Sequence, residues 1–283
     1  MKDVRKLNTN NESKGRIIAY WAITAIILTE TAVGAYWDIA RIPFVRNIMT
    51  ELGYPLYFLV ILGVWKVLAV IALLAPRFPR VKEWAYAGLF LTYSGAAISH
   101  LAMGDSSKAW GPLVFVALTI ISWALRPASR KLLKGYAIEP DKEATGRKQL
   151  IAYWTATGII EFVVLSGGMA DMFQRGGTVE GMVQLGYPLY FITLLGCWKV
   201  LGGIALLLPR FQLLKEWAYA GIVFNMTGAV ASHIVNGDSV THFIAPLSFA
   251  IIAMVSWALR PASRRIGADG YIVQFGQRSL QPA

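Results

Sequence analysis

Apolar residues in this chain gather into eight long runs, at about 17–37, 54–75, 84–103, 109–125, 150–169, 187–208, 217–236 and 243–259. Runs of this length, nearly free of charge, can cross a hydrocarbon slab about 30 Å thick as helices. The links alternate in kind. Those after the second and sixth runs are short and basic, whereas those after the first and fifth are longer and hold Pro43 or Gly176-Gly177, which interrupt regular structure. The first run lacks a small-residue cleavage site and reads as a retained span.

The eight runs are one pattern of four, written twice. Tyr20–Ser106 aligns on Tyr153–Ser239 without a gap at an offset of 133 residues, and after one inserted residue Pro112–Arg130 aligns on Pro246–Arg264 at 134. About half of the aligned positions are identical, which marks a tandem duplication. Lys82-Glu83-Trp84-Ala85-Tyr86-Ala87-Gly88 recurs unchanged at 215–221, and Ser122-Trp123-Ala124-Leu125-Arg126-Pro127-Ala128-Ser129-Arg130 at 256–264. The predicted fold is an all-α membrane protein, with eight transmembrane helices in two tandem four-helix bundles. Its expected parts are a tail (1–16), a first repeat (17–130), a basic linker (131–149), a second repeat (150–266) and a C-terminal tail (267–283).

Charge then orients the bundles. Of the 27 Lys and Arg residues, twenty-one fall on the side of the termini and the inter-repeat linker, and four on the other. The positive-inside rule predicts cytoplasmic termini, in a cell inner (plasma) membrane. An even number of spans per repeat brings both repeats in from the same side, related by a pseudo-two-fold axis along the membrane normal. The net charge of +11 does not call for a nucleic-acid partner, because the basic residues flank apolar runs instead of forming one stripe. Composition agrees: the chain is 56% hydrophobic and 15% charged, with mean hydropathy +0.51. The single cysteine, Cys197, rules out a disulfide or thiol-relay chemistry within one chain. Eight tryptophans near run ends read as an aromatic belt, while Trp65 and Trp198 lie deep.

Two lysines are the first candidates for chemistry. Lys66 lies 12 residues from Tyr54 and 10 from Pro76, or about 15–18 Å from either end of a helix. Lys199 occupies the same place in the second repeat. A mid-membrane lysine costs about 2.5–3.5 kcal/mol on insertion scales. Gly63 and Ala69 around Lys66, and Gly196 and Gly202 around Lys199, predict close helix approach, so both lysines should point into the bundle. Their candidate partners are Glu30 and Glu161. These glutamates are not equivalent, because Glu30 aligns with Val163 and Glu161 with Leu28. A register-fixing ion pair and a ligand or proton site both fit.

The second candidate is Ser99-His100 with Gly104-Asp105, repeated as Ser232-His233 with Gly237-Asp238. Histidines near the outer end of a span can titrate, bond a polar head group or hydrogen-bond between helices. Asp105 and Asp238 read as helix caps after a terminating glycine. No metal site is expected: His100 and Asp105 are not spaced as paired helical ligands, and His242 adds only one more imidazole.

With Leu-Gly-Tyr-Pro, Gly-x-Trp-Lys, Lys-Glu-Trp-Ala-Tyr-Ala-Gly and Ser-His…Gly-Asp in that order, each repeat resembles the DoxX-like family, across Tyr20–Arg130 and Tyr153–Arg264. The family unit is single, so this chain resembles a fused dimer. The resemblance implies a membrane subunit beside redox complexes, since relatives include a subunit of a thiosulfate:quinone oxidoreductase. It carries no catalytic role onto Lys66, Lys199, His100 or His233. The expected function is therefore a quinone-binding or redox-associated membrane subunit, whose partners are the lipid bilayer and other membrane redox subunits. The alternatives are a transporter for a small anion or weak acid with its site between the repeats, and a scaffold without chemistry of its own.

Overall fold

A computed structural model describes residues 13–132, 146–264 and 266. Most of the two tails and of the linker expected at 131–149 therefore lies outside the described residues. Among those described, ten α-helices and two short 3-10 turns account for all regular structure. The first repeat contributes α1 (Lys14–Ala40), α2 (Pro43–Glu51), α3 (Tyr57–Leu74), α4 (Pro79–Ala102) and α5 (Ser106–Leu125). The second contributes α6 (Arg147–Met172), α7 (Thr178–Gln184), α8 (Leu189–Leu207), α9 (Gln212–Asn236) and α10 (Val240–Leu259).

Eight of these helices are the eight apolar runs. Seven are long and apolar enough to cross a membrane; the exception is α4. Arg80, Lys82 and Glu83 in its first turns, and Tyr93, Ser94, Ser99 and His100 further on, dilute its apolar content. The links expected to be irregular hold the short helices α2 and α7 instead. Pro43 opens α2 at a position where its missing N–H costs nothing.

In each repeat the four long helices close a ring. α1 packs on α3 and α5, and α4 on α3 and α5; α6, α8, α9 and α10 make the same contacts. The ring has two ends. The short-helix end carries α2 or α7 and the tight turn after α4 or α9; the linker end carries the Pro-Arg-Phe turns and the 3-10 turns. Gly53 and Gly186, with φ of +75° and +80°, lead into α3 and α8 in a backbone region that side chains rarely adopt. At the linker end the last carbonyls of α3 and α8 are capped from inside the protein. Lys82 Nζ donates to the carbonyls of Ala72 (3.1 Å) and Ala75, and Lys215 Nζ to those of Ala205 (3.1 Å), Leu206 (2.6 Å) and Leu208. Arg130 and Arg264 add bonds to the carbonyls of Leu73 and Leu206.

The repeats meet chiefly through α4 on α9, flanked by α3 on α9 and α4 on α8. Many of these contacts have a counterpart with the halves exchanged. Tyr57 Oη donates to the carbonyl of Leu185 and Tyr190 Oη to that of Leu52, both at 2.7 Å. The Trp65 ring fills the space beside Gly228, where a Cβ would lie 2.8 Å away, and the Trp198 ring does so at Gly95, at 2.9 Å. The deep tryptophans are thus knobs between halves, seated where only glycine leaves room.

Candidate functional site

The motifs repeated without change converge at the linker end. Glu83, 1% exposed, pairs with Arg126 at 2.7 Å, and Glu216 with Arg260 at 2.8 Å. Trp123 and Trp217 both donate their indole N–H to Glu83; Trp257 and Trp84 do the same for Glu216. One donor in each set comes from the opposite repeat. Four tryptophans expected at the membrane boundary are therefore turned inward, onto carboxylates. Trp21 and Trp154 remain exposed, beneath the guanidinium groups of Arg130 and Arg264. Beside each cluster a hydroxyl chain, Thr24–Ser122–Tyr86 or Thr157–Ser256–Tyr219, crosses the ring at 2.7–2.8 Å per bond. Each guanidinium keeps one nitrogen, Arg126 Nη1 or Arg260 Nη1, without a hydrogen-bond partner among the described residues, and buried ion pairs of this kind add little net stability over an apolar core.

Towards the middle, Lys66 and Lys199 do point inward. Their partners are Asp38, at 2.7 Å, and Asp171, at 2.6 Å. Among the described residues, neither Glu30 nor Glu161 forms an ion pair with a lysine. The geometry follows from Gly63 and Gly196. A Cβ at Gly63 would stand 3.1 Å from the carbonyl of Ala35 and 3.2 Å from Asp38 Cβ; one at Gly196 would stand 2.7 Å from the carbonyl of Gly168. Such close approach draws α1 onto α3, and places Asp38 level with Gly63, one turn from Lys66. The lysine reaches back along its helix towards the short-helix end to meet the carboxylate. Asp38 and Asp171 were missed because they sit next to residues that read as the edge of a span. The signal was present: they stand 133 residues apart, as the lysines do.

The two glutamates have different surroundings. Glu30 accepts from Tyr93 Oη, which is also 2.9 Å from Thr31 Oγ1. A Cβ at Gly34 would lie 3.1 Å from Lys66 Nζ and 3.7 Å from Glu30 Oε1, so Glu30 and Lys66 flank the same glycine. Glu161 is 7% exposed, packed against Gly203 and Leu165, and neither oxygen has a hydrogen-bond partner among the described residues.

At the short-helix end, Tyr54 and Tyr187 each bond the serine of a Ser-His pair, Ser99 and Ser232, at 2.8 Å. The histidines differ. His233 Nδ1 lies 2.6 Å from Asp238, and its ring is 5.9 Å from that of His242. His100 is buried, while Asp105 is engaged by Ser107 and by Lys108, which also pairs with Glu51 at 2.8 Å. Asp105 is the N-cap of α5; for α10 that position is held by Ser239, because Asp238 turns back to His233 and Asn236. The hydrogen bond to His233, then that from Asn236, holds the Asp238 carboxyl below the usual carboxylate range.

A cavity of about 1750 Å³ runs between the repeats and joins these elements. Lys66, Asp38, Glu30, Lys199 and Asp171 line it in the middle, and His100 and His233 at the short-helix end. The rest of its wall is largely apolar and aromatic, including Trp65, Trp198, Phe90 and Phe224. Glu161 does not line the cavity. No metal-binding group of three or more His, Cys, Asp or Glu side chains forms among the described residues.

The model of the DoxX-like family matches this chain twice, at residues 22–122 and 155–256. No curated protein matches it. No solved structure does either.

Proposed function

Because this chain belongs to the DoxX-like family as a tandem pair of its units, we propose that it binds a membrane-soluble quinone between its halves, as a subunit beside a membrane redox complex. The observation that carries this reading is the cavity of about 1750 Å³, apolar and aromatic over most of its wall, with a Lys–Asp pair facing it from each repeat. A ligand suited to such a space has a large apolar body and a small polar head. The charge balance favours this over a small anion, since each ammonium already has a carboxylate within 2.7 Å. Our proposal for the membrane has eight spans, α4 taking its place by analogy with α9, and a pseudo-two-fold axis along the normal. The linker end, rich in Lys and Arg, faces the cytoplasm of a cell bounded by this inner membrane. The units are 17–130 and 150–266.

The test is titration of the protein in lipid nanodiscs with a tail-free naphthoquinone, read as quenching of tryptophan emission. Saturable quenching is expected. Replacing Lys66 and Lys199 by Met together with Asp38 and Asp171 by Asn should weaken it about tenfold, the equivalent of roughly one charge-assisted hydrogen bond. Quenching that never saturates, or that the fourfold variant leaves unchanged, rules the reading out.

A further inference from the structure

Building on the quinone reading, we propose that the first repeat alone holds the polar head, and holds it as the hydroxyl-bearing quinol. The reason is a difference between two places that the duplication made alike. Around Lys66 the cavity wall offers Asp38, Glu30 and the Tyr93 hydroxyl, with Thr31 behind them. At the same offset of 133 residues the second repeat has Asp171, Val163, Met226 and Val164. Only the Lys–Asp pair survives there. The three other positions are apolar, suited to a ring edge or an isoprenoid chain, and the polar side chain of Asn225 that also lines the cavity on this side carries no charge.

The form of the ligand follows from counting donors and acceptors in the first repeat. Lys66 is committed to Asp38, and Tyr93 Oη to Glu30, so the four carboxylate oxygens hold lone pairs in excess of the protons offered to them. A quinone presents two carbonyl oxygens and can only accept. A quinol presents two hydroxyl groups, which donate to Glu30 or Asp38 while accepting from Lys66. Acceptors left unmatched in an apolar cavity disfavour the oxidised form. Access is consistent with a lipophilic ligand. Glu30 borders the cavity on one side and, on the other, a shallow groove on α1 lined by Ala25, Ile26, Thr29 and Val33.

The experiment compares reduced and oxidised naphthoquinone on the full chain in nanodiscs, by calorimetry under anaerobic conditions, which returns affinity and stoichiometry. The reduced form should bind more tightly, at one site per chain. Glu30→Gln and Tyr93→Phe should each weaken it about tenfold, whereas Val163→Ala and Met226→Leu, the counterparts, should leave it unchanged. A chain with Val163→Glu, Val164→Thr and Met226→Tyr should bind two molecules. Equal losses from both sets of variants, a preference for the oxidised form, or two sites in the wild-type chain overturns this inference and leaves the quinone reading intact. No saturable binding of either form overturns both.

Discussion

The linker end and the middle of this protein carry buried ions of the same type, yet the duplication has treated them differently. At the linker end the two ion clusters are residue-for-residue copies: Glu83, Arg126, Trp123 and Trp217 in one, Glu216, Arg260, Trp257 and Trp84 in the other. In the middle the lysines and aspartates match, but Glu30, Thr31 and Tyr93 align with Val163, Val164 and Met226. Each linker-end cluster takes a tryptophan from the opposite half, so a change in one half alters the fit of both. The polar pocket around Glu30 is built from α1, α3 and α4 of one half only. The first arrangement resists divergence, and the second permits it. Sameness marks the ion clusters that join the halves at the linker end, and difference marks where one half does something of its own.

The contrast has measurable edges. The largest effect is expected from Glu83→Gln combined with Glu216→Gln, which leaves Arg126 and Arg260 buried without a counter-charge. Breaking such a pair from one side costs about 3–5 kcal/mol, so the thermal midpoint in detergent should fall steeply; a midpoint within a few degrees of wild type contradicts the joint. Next comes Gly228→Val. Its Cβ would stand 2.8 Å from the Trp65 ring, and overpacking of this kind costs about 1–3 kcal/mol. Trp65→Leu in the same chain should recover part of the loss. If Trp65→Leu gives no recovery, the knob is not what sets the spacing.

The smallest effect is at the short-helix end. The Asp238 carboxyl is held below its usual range by His233 and Asn236, so its contribution to stability is present above an unfolded value of about 3.9 and is lost as pH falls through the lowered folded value. Because the group is exposed, the loss should be slight. Hydrogen exchange of the α9–α10 turn should rise on acidification in the wild-type chain and show no such step in Asp238→Asn. A step that persists in the variant assigns the acid sensitivity to another group.

Much of this architecture is legible in the sequence. The periodic apolar runs and the offset of 133 residues foretell eight long helices in two rings, and glycine one turn before each lysine foretells that the lysine turns inward. The partners were harder to read. A lysine side chain spans more than one turn of helix, so counting depth from the helix ends pointed to Glu30, whereas the ammonium reaches Asp38 further along. The tryptophans misled for a related reason: position near a run end does not say which way an indole faces. Trp84 and Trp21 occupy similar depths, but the residue before Trp84 is the glutamate that the other half's cluster mirrors. The distinction between them lies in contacts between repeats, which no single helix pattern encodes.

In a pair assembled from separate identical units, any substitution appears on both sides of the axis at once, so a pocket cannot gain a carboxylate on one wall while losing it on the other. Joining the units head to tail removes that constraint, since each half then meets a partner encoded separately from itself. Glu30 and Glu161, each without an equal across the seam, are the kind of inheritance that only a covalently joined pair can keep.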